Sequence, residues 1–143
     1  MKEKTKLSAR NQIRGTVTSI QEGAVNGIVK MAFGNHTVSS TISMNAIKEL
    51  GLAEGKEAIA IIKATEAMVG VGEIGRISAR NIWKGTVVEV ENGAVNGIVK
   101  VDVDGVVISS TISMNAIADL ELAAGKEASI IVKSTSVMMM VED

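Results

Sequence analysis

The amino-acid sequence predicts an all-β protein built as two tandem five-stranded barrels, each carrying one short helix. Three observations lead there. First, the chain is written twice: Ser8-Ala9-Arg10-Asn11 returns as Ser78-Ala79-Arg80-Asn81, and residues 23–30 (GAVNGIVK) return at 93–100. Residues 39–47 (SSTISMNAI) likewise return at 109–117, and every offset is 70. Aligning 7–69 with 77–139 without a gap gives 35 identities in 63 positions. Such a fixed period marks a repeated structural unit. Second, the apolar residues, 46% of the chain, fall in runs of strand length rich in Val and Ile. Third, turn dipeptides such as Asn26-Gly27 and Gly34-Asn35 punctuate those runs.

The elements follow in order. Residues 13–20 alternate and are rich in β-branched side chains, which predicts a first strand. Asn26-Gly27 is a tight-turn dipeptide, residues 27–33 and 37–42 read as the next two strands, and Gly34-Asn35 joins them. Residues 45–50 permit a short helix, with Ser43 placed as N-cap and Gly51 as its stop. Residues 56–63 (KEAIAIIK) form another strand, and 66–71 add a last one to the same barrel. The second copy repeats this, so each unit is a small, partly closed barrel of the OB type. The domains are residues 7–70 and 76–143, with a Gly-rich joint, GVGEIG, at 70–75. A unit of this size lies near the limit for an independent core, so packing between units and between chains is expected.

Composition removes several functions. The 143 residues hold no Cys and a single His, which excludes disulfides, zinc knuckles, iron–sulfur clusters, thiol catalysis and a multi-His metal site within one chain. A net charge of -1 supplies no basic field, and Phe33 and Trp83 are too few aromatics for a nucleic-acid platform. The charged residues 1–6 are not followed by an apolar h-region and read as a solvated tail. The longest apolar runs, 58–62 and 137–141, are far short of a membrane span. A cytoplasmic protein with no membrane partner is expected.

Candidate functional residues come from what both copies keep. Ser8-Ala9-Arg10-Asn11 gathers a hydroxyl, a guanidinium and a carboxamide ahead of a strand, the donor set an oxyanion needs. A polar strand-entry loop is the structural alternative. Ser43 precedes a helix whose first N–H groups favour an anion, though it also serves as a cap. Lys63 and its repeat Lys133 end apolar strands and read as solvated ends or as further donors. Residues 23–27 keep the Gly and Asn of a tight turn, whose N–H groups can also form an anion nest. Of six basic positions in the first copy (Arg10, Arg14, Lys30, Lys48, Lys56, Lys63) only Lys48 is lost, whereas carboxylates drift. Other features read as structural: Met138-Met139-Met140 as a buried strand, His36 as an exposed loop residue, and Glu57 and Glu127 as surface partners of Lys56 and Lys126. No nucleophile–base pair recurs and no phosphate-binding loop is present, so no enzyme is expected.

Ser8-Ala9-Arg10-Asn11, then Gly15-Thr16-Val17, Gly23-Ala24-Val25-Asn26, Gly55-Lys56-Glu57 and Ile61-Ile62-Lys63-Ala64 together resemble the molybdate-binding Mop (molbindin) family across both repeats. The tandem arrangement is similar to the di-Mop members, stand-alone cytoplasmic molybdate and tungstate storage proteins. The resemblance implies OB-type modules, assembly into a homotrimer, and oxyanions held between modules, with no other cofactor and no metal cation. One kind of site would use Ser8, Ala9 and Arg10 from one module with Ser43, Lys63 and Ala64 from a neighbour. Its repeat would use Ser78, Ala79, Arg80, Ser113, Lys133 and Ser134. A second kind, near the threefold axis, matches Ala24, Val25 and Asn26 with Ala94, Val95 and Asn96. Some relatives carry Thr where Ser43 and Ser113 stand, which keeps the hydroxyl. An oxyanion-responsive sensor or adaptor engaging a protein partner is the alternative function.

Overall fold

The computed structural model describes residues 6–142; all but the last residue of the charged tail lies outside them. The first repeat runs β1 (Asn11–Gln21), β2 (Asn26–Phe33), β3 (His36–Ser43), α1 (Met44–Glu49), β4 (Glu57–Ile62), a 3-10 turn (Ala64–Glu66) and β5 (Met68–Gly70). The second repeats it as β6 (Asn81–Glu91), β7 (Asn96–Val103), β8 (Val106–Ser113), α2 (Met114–Asp119), β9 (Glu127–Val132), a 3-10 turn (Ser134–Ser136) and β10 (Met138–Met140). The fold is all-β, with two five-stranded curled sheets. Ile13 and Val17 of β1 point inward while Gln12 and Arg14 point out, the period-2 pattern of a half-buried strand. A bulge between Val17 and Ser19, and its equal between Val87 and Glu89, bends the long strand around the core. Gly15 lets β2 approach at the curl, since a Cβ there would collide with the Ala32 carbonyl oxygen.

The last strand departs from the expectation that residues 66–71 complete their own barrel. The sheets run β10-β4-β1-β2-β3 and β5-β9-β6-β7-β8, all antiparallel, so each repeat lends its fifth strand to the other. A three-residue strand makes few ladder bonds, and side chains outside the ladder help set its place. The buried Ser40 hydroxyl donates to the Val137 carbonyl at 2.6 Å just ahead of β10, and the buried Ser110 hydroxyl donates to Ala67 ahead of β5. The core is therefore shared. One apolar cluster runs from Ile13, Val17 and Met31 through Trp83, Val101 and Ile130. Trp83, 1% exposed, donates from Nε1 to the Thr37 carbonyl at 3.0 Å and meets Phe33 edge to face at 5.3 Å. Both aromatics are thus interior.

Local chemistry corrects three smaller expectations. His36 is half-buried at the start of β3, stacked on Phe33 at 5.6 Å and 3.3 Å from Asp104 of the other repeat. Lys56 and Lys126 do not partner the neighbouring carboxylates; their ammonium groups donate to Leu50 and Leu120 carbonyls at 2.9 and 2.7 Å, where α1 and α2 end. Glu127 instead meets Lys84 at 3.3 Å. Met138 is exposed, because β10 lies at a sheet edge.

Candidate oxyanion site

β1 and β4 are paired antiparallel with Asn11 opposite Ile62. The residues just beyond that pair, Arg10 and Lys63, therefore lie across from one another at the end of the ladder. Two cations so placed repel unless an anion lies between them. Ser8, Ala9, Arg10, Lys63, Ala64 and Thr65 line an open cavity of about 520 Å³, floored by Leu7, Ile61 and Met138–Met140. No carboxylate is in that lining. Among the described residues neither Arg10 nor Lys63 has an ion-pair partner, and both are exposed. The second repeat has the same register, Asn81 opposite Val132, which sets Arg80 across from Lys133, beside Ser78, buried Ala79 and Ser134.

Ser43 and Ser113 lie elsewhere. Each is exposed at a helix N-terminus and accepts the N–H of Ala46 or Ala116 at 3.0 Å, which leaves its own proton free to donate. Ser43 faces Asn26 across β2–β3, and Ser113 faces Asn96 across β7–β8, so within a chain these hydroxyls join the Ala24–Val25–Asn26 and Ala94–Val95–Asn96 turns rather than Lys63 and Lys133. The turns are exposed, with Val25 73% and Val95 74% accessible. The Val25 carbonyl accepts the Met44 N–H at 2.8 Å, and a Cβ on Gly23 would collide with the Asn26 carbonyl oxygen. The survival of this string thus has a structural cause as well.

Other members of the repeated strings turn out to join the repeats. Asn11, 2% exposed, donates to the Ser109 carbonyl at 2.8 Å and accepts the Ser109 N–H at 2.7 Å; Asn81 clamps Ser39 in the same way at 2.9 and 2.7 Å. Thr41 meets Ser134 hydroxyl to hydroxyl at 2.8 Å. Sequence reasoning did not single out Thr65, although its identity with Thr135 was a visible signal. Among the described residues no group of three or more His, Cys, Asp or Glu could hold a metal ion, and no helix is long and apolar enough to cross a membrane.

These paired small barrels define a class. Both repeats match the TOBE domain, over residues 7–69 and 77–139, and the chain belongs to that family. Its relatives carry the names the motifs imply. A probable molybdenum-pterin-binding protein of Haemophilus influenzae is 60% identical over 67 residues, covering 46% of this chain and 97% of the relative. The molybdenum-pterin-binding protein MopA of Rhodobacter capsulatus is 35% identical over 137 residues, 94% of this chain and 52% of the relative. The molybdenum transport protein ModE of Herbaspirillum seropedicae is 34% identical over 140 residues, 96% of this chain and 52% of the relative. The chain thus spans about half the length of MopA and ModE. Among solved structures, the cytoplasmic molybdate-binding protein ModG with molybdate bound superposes with a TM-score of 0.93 at 37% identity, covering 96% of this chain and all of that one.

Proposed function

We propose that this chain is a cytoplasmic molybdate- or tungstate-binding protein for storage and homeostasis, without catalysis, that holds the anions between modules of a homotrimer. The observation that carries the reading is the opposition of Arg10 to Lys63, at a strand end where the cavity they share offers hydroxyls and no carboxylate, and its repetition as Arg80 opposite Lys133. A tetrahedral dianion satisfies two fixed cations and several N–H and O–H donors at once. The names of the relatives and the close superposition on ModG support molybdate as the anion. The exposed Val25 and Val95 tips support burial of the 24–26 and 94–96 turns in an assembly as a second kind of site, with Ser43 and Ser113 beside them available to the first kind of site on a neighbouring module. Sites shared between chains couple binding to assembly.

Isothermal titration with molybdate, repeated in a large excess of sulfate, tests the reading. Saturable binding that survives sulfate is expected, and Arg10→Ala or Lys133→Ala should weaken its site roughly tenfold to hundredfold, the loss of one charge-assisted hydrogen bond. Sedimentation should give the mass of three chains. No heat from the unaltered protein would overturn the reading.

A further inference from the structure

The two copies of the cation pair do not sit in equal fields. Beside Arg10 and Ala64, a second cavity of about 300 Å³ runs between the repeats, lined on its far side by Glu91, Lys100, Ser109 and Thr111. Lys100 lies opposite Glu89 on β6, and its ammonium is 2.9 Å from Glu89 and 3.2 Å from Glu91. The repeat counterparts of Glu91, Lys100, Ser109 and Thr111 are Gln21, Lys30, Ser39 and Thr41, and the Thr41–Ser134 and Asn81–Ser39 contacts bring the strands that carry them to the turn and strand that flank Arg80. There Lys30 lies opposite Ser19, with Gln21 in place of the second carboxylate. Glu89, Glu91 and Lys100 sum to one negative charge next to Arg10; on the other side Lys30 is balanced by Glu22, which shares a cavity with Gln21 and Thr41 and is replaced by Asn92 in the second repeat, so the sum next to Arg80 is zero. Glu66, in the turn after Lys63, accepts from Ser136, its own repeat counterpart, at 3.0 Å and so joins the two turns. The ion pairs Arg14–Glu142 and Lys84–Glu127 each carry no net charge.

Resting on the oxyanion reading above, we propose that Glu89 and Glu91 set the affinity of the adjoining site: the Arg80–Lys133 site is the tight one and the Arg10–Lys63 site the weak one. The duplication keeps Ser8, Arg10 and Lys63 as Ser78, Arg80 and Lys133, exchanges Ala64 for Ser134, and differentiates the charges around them. One unit charge of difference acting on a dianion across a distance on the order of 10 Å of partly screened solvent gives about a twofold to fourfold difference, larger at low salt.

The test weakens one site at a time and then edits the surroundings of the other. Molybdate is titrated calorimetrically into Arg80→Ala, which weakens that site roughly tenfold to hundredfold and leaves the Arg10–Lys63 site the tighter of the two, and into Arg10→Ala, which does the reverse; the turn sites are common to both backgrounds and cancel in the comparison. Adding Glu89→Gln and Glu91→Gln should tighten the remaining site about threefold to tenfold in the Arg80→Ala background and less than twofold in the Arg10→Ala background. Gln21→Glu, a surface change on the other side, should weaken the site left in Arg10→Ala and spare the one left in Arg80→Ala. Equal effects in both backgrounds, or none, overturn the proposal while molybdate binding stands. A failure of the unaltered protein to bind molybdate overturns the parent reading and this one together.

Discussion

Asn11→Ala tests how the two repeats are joined. The carboxamide is 2% exposed and spends both its donor and its acceptor on the backbone of Ser109, at 2.8 and 2.7 Å. Truncation removes two hydrogen bonds worth about 1 kcal/mol each and leaves a partly buried N–H and C=O unpaired, so the expected loss is about 3 kcal/mol. At roughly 3 °C per kcal/mol for a chain of this size, Tm should fall by about 10 °C. Thermal and urea unfolding followed by far-UV circular dichroism read both quantities, and the m value should not change. Asn81→Ala should cost the same, because Asn81 holds Ser39 through the same pair of bonds. The unfolding should stay a single transition in each variant, since neither repeat owns a complete sheet. A loss below about 1 kcal/mol, or a first repeat that melts apart from the second, would refute the view that these two carboxamides tie the halves into one unit.

The one Trp gives a second check: Trp83 is buried against Phe33 and both repeats, so its emission should be blue-shifted and should unfold together with the far-UV signal, while Trp83→Ala should lose about 3–5 kcal/mol. A separate, earlier fluorescence change would contradict the shared core. Acid stability should report the Glu89–Lys100 contact. Hydrogen bonding from Lys100 holds the Glu89 carboxyl below its ordinary value, so its stabilisation is present at neutral pH and is lost as pH falls through the folded carboxylate value. Glu89→Gln should therefore flatten the acid limb of urea stability measured at low salt, and an unchanged limb would count against the contact.

Much of the local structure was legible because it depends on near neighbours. The alternation of β1, the Ser43 cap and the spacing of the two copies all follow from local periodicity and backbone preference, whereas Asn26-Gly27, expected as the tight turn, starts β2 and pairs with Ser43 and Ile42. The donor strings were legible too, because two copies of one sequence keep Ser8-Ala9-Arg10-Asn11 and Lys63 while Gln12, Ile13, Ile62 and Ala64 change. Their division of labour was not. Nothing within Ser8-Ala9-Arg10-Asn11 separates an exposed Arg10 that opposes Lys63 from an Asn11 buried at the very next position against the other repeat.

By itself, then, the sequence determined the strands, the turns, the duplication and the residue types able to meet an oxyanion. Only the tertiary structure decided which sheet each fifth strand joins, which serine hydroxyls hold that exchange, and which cations stand opposite one another. The physical reason is range: propensity and patterning act over a few residues, whereas Ser40 to Val137 and Asn11 to Ser109 are contacts about 100 residues apart along the chain, selected by burial and hydrogen-bond satisfaction once the two halves have closed on each other.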